Sequence, residues 1–303
     1  MKKILISLFC IVSTLNATEL AKGETEILWK NGVIGNVCTE KEVSENGWVS
    51  NVSNPRLEFF KANTDKRTGL IIVCPGGGYQ ELAGSYEGVD VAKWANAHGM
   101  HAAVLWYRVP QNHIGALQDI QRAIRLARAN ADKWNINPDK ICVMGFSAGA
   151  NLCARASTRY HKPAYRPVDD IDKLSCKPNF TCLIYPAYCD DVCFKTCILK
   201  NEGMQKKSSN LDYNTEYKLT ENLLIDKNTP PALIVQTVAD PYQNSAMAYF
   251  LAMKKAGAKA DLFMCHDGQH GYGLGEKNQH ELVSIWPEIF NKWLTLNGFK
   301  GDK

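Results

Sequence analysis

Residues Lys140 to Asn151 read KICVMGFSAGAN, and this stretch decides the fold. An apolar run of strand-forming residues, Ile141–Met144, stops at Gly145, and one serine, Ser147, then lies between two glycines. The motif GxSxG alone is weak, since a chain of this length contains one by chance roughly one time in ten. Here, however, the motif joins a strand to a run of small, helix-compatible residues, and such a turn holds a serine hydroxyl out over the end of a sheet. We therefore predict that Ser147 is a nucleophile.

The two glycines of this motif, Gly145 and Gly149, support the same interpretation. A strained turn packs its neighbours against adjacent backbone, so that a Cβ would find no room at either position. The helix that starts after the turn also presents its positive dipole end to a developing oxyanion.

The rest of the chain has the pattern of a mostly parallel sheet, because short apolar runs alternate with amphipathic ones from Leu70 onward. Nearly all-apolar strands need cover on both sides. The sequence therefore predicts an α/β fold with about eight strands, mostly parallel, and helices on both faces. Strands are predicted at residues 70–74, 102–106, 141–144, 181–185, 232–238 and 261–265, after an antiparallel pair at 27–30 and 56–61. Helices are predicted at residues 88–97, 116–134, 148–157, 244–255 and 281–296, with Pro287 in a first turn or at a kink.

The helix predicted at residues 116–134 is amphipathic, with apolar residues at steps of three and four. Arg122, Arg125 and Arg128 lie on its other side. We interpret this arginine stripe as a solvated helix face rather than an anion site.

Length and composition favour one exported domain. A chain of 303 residues can bury a single large core, and its net charge of +4 without a dense Lys/Arg block gives no electrostatic footprint for nucleic acid. Residues 1–17 carry two lysines, an apolar run and then Ala17, which is typical of a secretory signal peptide cleaved near Ala17. No later apolar run reaches the roughly 20 residues that span a bilayer. We predict a signal peptide at 1–17, a single catalytic domain at 18–303, and a secreted or periplasmic location.

Eight of the eleven cysteines fall into two groups. Four of them lie in apolar, strand-like runs and are predicted to be buried small side chains, namely Cys74, Cys142, Cys182 and Cys265. Four others lie in a loop-rich region where one disulfide is an open possibility, namely Cys176, Cys189, Cys193 and Cys197. The chain has no CxxC pair, and no histidine lies near residues 189–197, so we predict no metal and no cofactor.

Two histidines, His266 and His270, follow the last predicted strand in the stretch HDGQHGYGLG. A serine hydroxyl is a poor nucleophile unless a base removes its proton. His266 is almost within the strand, whereas His270 lies in a glycine-rich loop at the carboxyl edge of the sheet. We assign the base to His270. A metal site is disfavoured because the pair lies in a loop, where helical spacing cannot align two ligands.

The candidate acid is Asp240, which follows a strand in the stretch ALIVQTVADPYQ. We predict that its carboxylate orients the imidazole of His270, although capping of the following helix is a competing interpretation. Asp190, Asp191 and Asp267 are alternative acids. The chain order serine, aspartate, histidine is the one expected for an α/β-hydrolase triad.

The stretch CPGGGY follows the strand at 70–74, and its consecutive glycines can turn backbone N–H groups toward a common point. Gly77 and Gly78, together with Ala148 after the nucleophile, are the predicted oxyanion donors. A phosphate-binding loop is excluded because no Lys-Ser/Thr pair follows the glycines.

Taken together, these stretches resemble the α/β-hydrolase esterases of the bacterial acetyl-xylan or feruloyl type, which are related to the HGGG carboxylesterases. The segments that carry the resemblance are CPGGGY, WYRVP, LQDIQRAIRLARANADKWNINPDKI, MGFSAGA, TPPALIVQTVADP and GQHGYGL. The resemblance implies that the serine attacks an ester carbonyl and that water hydrolyses the acyl-enzyme. Two positions depart from it: Pro75 stands where the wider superfamily has histidine, and Val238-Ala239-Asp240 lacks the paired aspartates common in relatives.

Aromatic residues cluster in the segments that converge on the carboxyl edge, and aromatic faces suit sugar rings or an aromatic acyl group. The candidate substrate contacts are Tyr79, Tyr188, Tyr242 and Tyr272, with Tyr185 beside them and Glu87 as a partner for a sugar hydroxyl or as a carboxylate at a helix N-terminus.

The resemblance and the predicted export favour an esterase that removes acetyl, or alternatively feruloyl, groups from xylan-type polysaccharide. The expected partner is an acylated carbohydrate, and neither nucleic acid nor a membrane span is expected. The alternatives are another α/β-hydrolase, such as a general carboxylesterase, lipase or peptidase, and a non-catalytic carbohydrate-binding relative.

Overall fold

The computed structural model describes residues 23–199, 217–276 and 281–300, and the predicted signal peptide at 1–17 lies outside these ranges. The strands of the described residues are β1 (Glu24–Ile27), β2 (Val43–Glu45), β3 (Trp48–Ser50), β4 (Arg56–Phe60), β5 (Thr68–Cys74), β6 (Glu81–Leu82), β7 (His101–Trp106), β8 (Ile136–Phe146), β9 (Phe180–Ile184), β10 (Ala232–Thr237) and β11 (Ala260–Cys265). Eight of them form one sheet in the order β1-β4-β7-β5-β8-β9-β10-β11. The six strands from β7 to β11 in that order are parallel, whereas β4 and β1 join as an antiparallel edge. The predicted sheet is confirmed.

The helices cover this sheet on both sides. They are α1 (Asp90–Ala97), α2 (His113–Ala129), α3 (Ala148–Thr158), α4 (Asp191–Cys193), α5 (Gln243–Lys255) and α6 (Trp286–Leu296). Trp94 of α1 packs against Phe290 of α6, with ring centroids 6.0 Å apart, and α2 packs on α3. All seven residues of β5 are buried, which requires apolar cover on both faces because successive side chains point to opposite sides. Pro287 lies in the first turn of α6, as predicted.

A small second sheet, ordered β2-β3-β6, was not among the predicted elements. Its hairpin turns at Asn46 and Gly47, both with positive φ (51° and 82°). An Asn-Gly pair between short strands is the strongest local signal for such a turn, so the sequence did contain the information. The strand predicted at 27–30 is also displaced, to Glu24–Ile27. This edge strand pairs on one side only and stays partly exposed, so it tolerates polar residues that an apolar-run search passes over.

The arginine stripe on α2 is not solvated, and that prediction was wrong. Arg122 is 1% exposed and donates to both oxygens of Asp169, at 2.7 and 2.5 Å, and pairs with Asp172 at 2.9 Å. Arg125 and Arg128 donate to backbone carbonyls of the segment that follows Asp172. The segment around residues 160–179 therefore covers this helix face and supplies the oxygen atoms that accept from the arginines. The periodicity of α2 alone cannot reveal a cover that comes from another part of the chain.

No disulfide joins cysteines of the described residues. Cys74, Cys142, Cys182 and Cys265 are buried, as predicted. Within the loop group, the sulfurs of Cys193 and Cys197 lie 3.9 Å apart. Within the described ranges, none of the helices has the length and apolar character that crossing a bilayer requires.

The topology places the candidate functional residues together. Because β5, β8, β9, β10 and β11 are parallel, the segments that follow their carboxyl ends meet at one edge of the sheet. The glycine stretch follows β5 and Ser147 follows β8. Asp240 follows β10, and His270 follows β11.

Candidate active site

Ser147 is the corner between β8 and α3. Its backbone adopts φ 51° and ψ −116°, a conformation that is costly for a residue with a side chain and that clusters at functional sites. A Cβ on Gly145 would lie 2.2 Å from the carbonyl oxygen of Gly149, and one on Gly149 would lie 2.1 Å from that of Cys74. Both glycines are therefore required by close backbone packing, as predicted. The N–H of Ser147 donates to the carbonyl of Ile184 at 3.0 Å, which ties the corner to the end of β9.

His270 bridges Ser147 and Asp240. Its Nε2 lies 2.8 Å from Oγ of Ser147, and its Nδ1 lies 2.7 Å from Oδ2 of Asp240. The Asp240 side chain is fully buried, whereas the imidazole keeps 20% of its surface exposed. The other carboxylate oxygen of Asp240 accepts from the N–H of Tyr242 at 2.7 Å. One oxygen therefore orients the histidine, and the other stabilises the turn before α5. The helix-capping interpretation of Asp240 was wrong, because the N-cap residue of α5 is Tyr242.

The alternative residues have other partners. His266 is exposed and contacts Asp267 at 2.8 Å, away from Ser147. Asp190 caps α4 through the N–H of Cys193 and accepts from the hydroxyl of Ser245. Asp191 forms an ion pair with Lys195. Geometry thus favours Asp240 and His270 over every alternative that the sequence left open.

The glycine stretch forms a concave run of backbone beside the serine. Gly77 and Gly78 have φ of 124° and 65°, and a Cβ on Gly77 would lie 2.0 Å from the carbonyl oxygen of Glu81. Across the ranges that the structure covers, no group accepts a hydrogen bond from the N–H of Gly77, Gly78 or Ala148. Unpaired N–H groups at a strained turn and at the first residue of a helix are the expected parts of an oxyanion hole.

The neighbouring Gly76 is held in place from behind. Its N–H donates to Oε2 of Glu87 at 2.7 Å, and Oε1 of Glu87 accepts from the hydroxyl of Tyr185 at 2.7 Å. Glu87 is only 2% exposed, and burial raises the pKa of its carboxyl group. Glu87 lies in the first turn of the helical segment at Ser85–Val89, so the interpretation as a carboxylate at a helix N-terminus holds. The predicted sugar contact does not fit, because both carboxylate oxygens are engaged inside the protein.

The predicted tyrosines divide into two groups. Tyr79 is fully buried and donates to Oδ1 of Asn151 at 2.8 Å, so its hydroxyl serves the fold rather than a substrate. Tyr272 is likewise buried and packs edge-on against Tyr185, with ring centroids 4.4 Å apart. The predicted substrate role does not fit either residue. Both side chains are buried among other side chains of the strand-end segments and do not face solvent.

Tyr188 and Tyr242 lie closer to the reacting groups. The Tyr242 ring is 4.9 Å from the imidazole of His270, and it packs edge-on against Tyr188 at 5.7 Å. The hydroxyl of Tyr188 lies 3.8 Å from the position that a Cβ on Gly78 would take. Tyr188 therefore lies beside a candidate oxyanion donor and Tyr242 beside the base, and both remain candidate substrate contacts.

Sequence reasoning missed Asn151 and the bond from Tyr185 to Glu87. Asn151 follows Ser147 by one helical turn, so its position on α3 could have indicated that it lies under the site. The pairing of Tyr185 with Glu87 joins residues 98 apart and has no local signal.

Within the described ranges, no group of three or more His, Cys, Asp or Glu side chains could hold a metal ion.

Comparison with known proteins agrees with this geometry. A family model described as the alpha/beta hydrolase fold matches residues 76–274, which include the glycine stretch and all three triad candidates. Among solved structures, an acetyl ester-xyloside bifunctional hydrolase from Caldicellulosiruptor lactoaceticus is similar, with 29% sequence identity and a TM-score of 0.73. That similarity covers 94% of this chain and 100% of the other.

Two relatives are similar in sequence. An acetylxylan esterase of Xylanibacter ruminicola is 33% identical over 214 residues, or 68% of this chain and 41% of that protein. An endo-1,4-beta-xylanase B of Butyrivibrio fibrisolvens is 32% identical over 234 residues, or 68% of this chain and 34% of that protein. The chain thus spans between a third and about two fifths of the length of these relatives.

Proposed function

The chain belongs to the α/β-hydrolase fold family, and from that premise we propose that it is a serine esterase that removes acetyl groups from xylan-type polysaccharide or oligosaccharides. The observation that carries the proposal is the hydrogen-bonded line from Ser147 through His270 to Asp240, beside the N–H groups of Gly77 and Gly78, which have no acceptor among the described residues. Nucleophile, base, orienting acid and oxyanion donors are the complete set that acyl transfer requires.

The reaction follows from these positions. Nε2 of His270 takes the proton of Ser147 as Oγ attacks the ester carbonyl, while Asp240 holds the imidazole in the required tautomer. The oxyanion accepts from the N–H groups of Gly77, Gly78 and Ala148. The imidazolium then returns its proton to the departing sugar oxygen, which leaves an acetyl group on Ser147. A water molecule, deprotonated by His270, attacks that acyl-enzyme and releases acetate and the free serine.

The acetyl group is the acyl group that the site favours. Tyr188 and Tyr242 are buried rings close to Gly78 and His270, so little space is left for a long acyl chain. The names of two similar proteins, an acetylxylan esterase and an acetyl ester-xyloside hydrolase, support the same substrate class. The predicted export signal at residues 1–17 fits a polymeric substrate outside the cytoplasm, and we propose that the protein is secreted or periplasmic.

Chain-length preference and product analysis test this function. We expect p-nitrophenyl acetate to be hydrolysed much faster than the butyrate or octanoate ester. Offered acetylated xylo-oligosaccharides and feruloylated arabinoxylan fragments, the enzyme should release acetate, identified by mass. Ser147→Ala should lower the rate at least about a thousandfold with the fold intact, whereas Ser175→Ala, an exposed serine at the opposite edge of the sheet, should not. A preference for octanoate, or release of ferulate alone, would reject the acetyl-ester proposal.

A further inference from the structure

Glu87 connects three segments that end at the candidate active site. Its Oε2 accepts from the N–H of Gly76, which directly precedes the oxyanion donors, at 2.7 Å. Its Oε1 accepts from the hydroxyl of Tyr185, at the end of β9, at 2.7 Å. That hydroxyl in turn accepts from the N–H of Gly273, three residues after His270, at 3.0 Å. We propose that Glu87 is a positioning residue that fixes the oxyanion loop and the histidine loop relative to one another, and this inference rests on the proposed function.

The backbone of Tyr185 is strained, which indicates that surrounding contacts hold this residue in place. Tyr185 has φ 36°, a conformation that bulky residues rarely adopt, and it is fully buried. The strain is retained where surrounding contacts over-determine it. Here the contacts are the bonds of its hydroxyl to Glu87 and Gly273 and the packing of its ring against the imidazole of His270, at 5.0 Å. The same phenol therefore links Glu87 to the ring of the base.

The position of Gly76 explains why the hydrogen bond from its N–H to Glu87 matters. A Cβ there would lie 2.6 Å from Oε2 of Glu87 and 2.9 Å from Cβ of Ser147, so the loop is wedged between the carboxylate and the nucleophile. The hydroxyl of Tyr107 adds a second fixed point through the carbonyl of Pro75. Glu87 and Tyr107 therefore hold adjacent residues of this loop, Gly76 and Pro75.

Glu87 also affects the charge of the site. Burial raises the pKa of its carboxyl group, while the hydrogen bonds from Tyr185 and Gly76 and the neighbouring His270 oppose that rise. The titratable groups that face it are Tyr86, Tyr107, Tyr185 and His270. Burial raises the pKa of each of those three phenols, so they stay neutral over the working range. Glu87 therefore faces His270, the neighbour that becomes a cation when it takes the proton of Ser147.

Two substitutions separate positioning from charge. Glu87→Gln keeps the shape and one acceptor but removes the charge and leaves the hydroxyl of Tyr185 with an ill-matched partner. Tyr185→Phe removes the link to Gly273 and leaves the carboxylate. The matched controls are Asp90→Asn, which removes a carboxylate from the same segment and bonds only to Ser85 and Lys93, and Tyr249→Phe, a buried tyrosine whose hydroxyl has no partner in the described part of the chain.

The experiment measures kcat and KM of p-nitrophenyl acetate hydrolysis, together with the NMR chemical shifts of the His270 ring at one fixed pH. We expect both test variants to lose about tenfold or more in kcat with KM within about twofold, because the donors and the base are misplaced in the transition state. Both test variants should also shift the His270 ring resonances, because the loop that carries the ring loses its support. The controls should change neither.

Kinetic constants of both test variants that match their controls, with unchanged His270 ring resonances, would overturn the inference. If Glu87→Gln does not fold, the kcat of Tyr185→Phe compared with that of Tyr249→Phe decides. If the wild-type protein hydrolyses no acetyl ester, the proposed function fails on its own, and the His270 ring resonances of Glu87→Gln and Tyr185→Phe still test whether Glu87 positions the histidine loop.

Discussion

Oγ of Ser147 lies 2.8 Å from Nε2 of His270, although the two residues are 123 positions apart in the chain. The contact exists because both follow parallel strands of one sheet, β8 and β11, whose carboxyl ends share an edge. The strained turn at Ser147 and the glycine-rich loop around His270 bring the two side chains toward each other.

The carboxylate behind the histidine gives the first prediction. Asp240→Asn should lower kcat by about a thousandfold or more, because an amide at this position favours the wrong imidazole tautomer. Asparagine can still accept from the N–H of Tyr242, so the melting temperature should change little. Asp191→Asn, which breaks ion pairs with Lys195 and Lys218, should keep its activity. The opposite pattern, with activity retained at 240 and lost at 191, would show that the acid is misassigned.

The second prediction concerns the turn around the nucleophile. Gly149→Ala should abolish soluble folded protein, because its Cβ would lie 2.1 Å from the carbonyl oxygen of Cys74 and 2.5 Å from that of Pro75. Gly257→Ala is the control for a substitution without a clash, since no atom lies within 4 Å of the new Cβ, although Gly257, unlike Gly149, has a positive φ of 70°. That substitution should cost about 1 to 2 kcal/mol from backbone strain alone. Chemical unfolding of both variants makes the comparison, and equal losses would contradict it.

The third prediction concerns the buried ion pairs formed by Arg122 of α2. Arg122→Ala should destabilise the fold by about 3 to 5 kcal/mol, because it leaves the buried carboxylate of Asp172 with only the more distant guanidinium of Arg125, at 4.0 Å. Lys173→Ala removes an exposed pair with Asp170, at 2.7 Å, and should cost no more than about 1 kcal/mol. Urea unfolding at neutral pH measures both. Similar costs for the two variants would mean that Arg122 is solvated after all.

The fourth concerns acid stability. Burial, aided by nearby Arg155, lowers the pKa of His113 to about 4, whereas an unfolded histidine titrates near 6.5. Acidification from pH 7 to pH 5 therefore protonates the unfolded chain first, so stability present above about pH 6.5 is lost as the pH falls toward 4.

His113→Gln removes this dependence. Its unfolding free energy should fall less than that of the wild type between pH 7 and pH 5, by about 1 kcal/mol after allowance for partial screening by solvent. His101, whose pKa burial also lowers, is present in both proteins and cancels in the comparison. Parallel losses in the two proteins would show that His113 does not resist protonation.

The sequence was informative where one residue type and one local pattern determine the structure. The strand before Ser147, the glycine loops and the order of the strands placed all three triad candidates at one edge, because parallel strands end together. It was uninformative where a side chain is satisfied by a distant segment. Arg122 pairs with Asp169, which is 47 residues further along the chain, and Glu87 pairs with Tyr185, which is 98 residues further along. The residue pattern around Arg122 or Glu87 therefore cannot predict the partner.

Trapping the acyl-enzyme tests the central claim most directly. Wild-type protein turning over p-nitrophenyl acetate is quenched in acid, digested, and mapped by mass, with Ser147→Ala treated in parallel. We predict one acetyl group on the peptide that contains Ser147, absent from the variant. An acetyl group on another residue, or equal labelling of the Ser147→Ala protein, would contradict the assignment of Ser147 as the nucleophile.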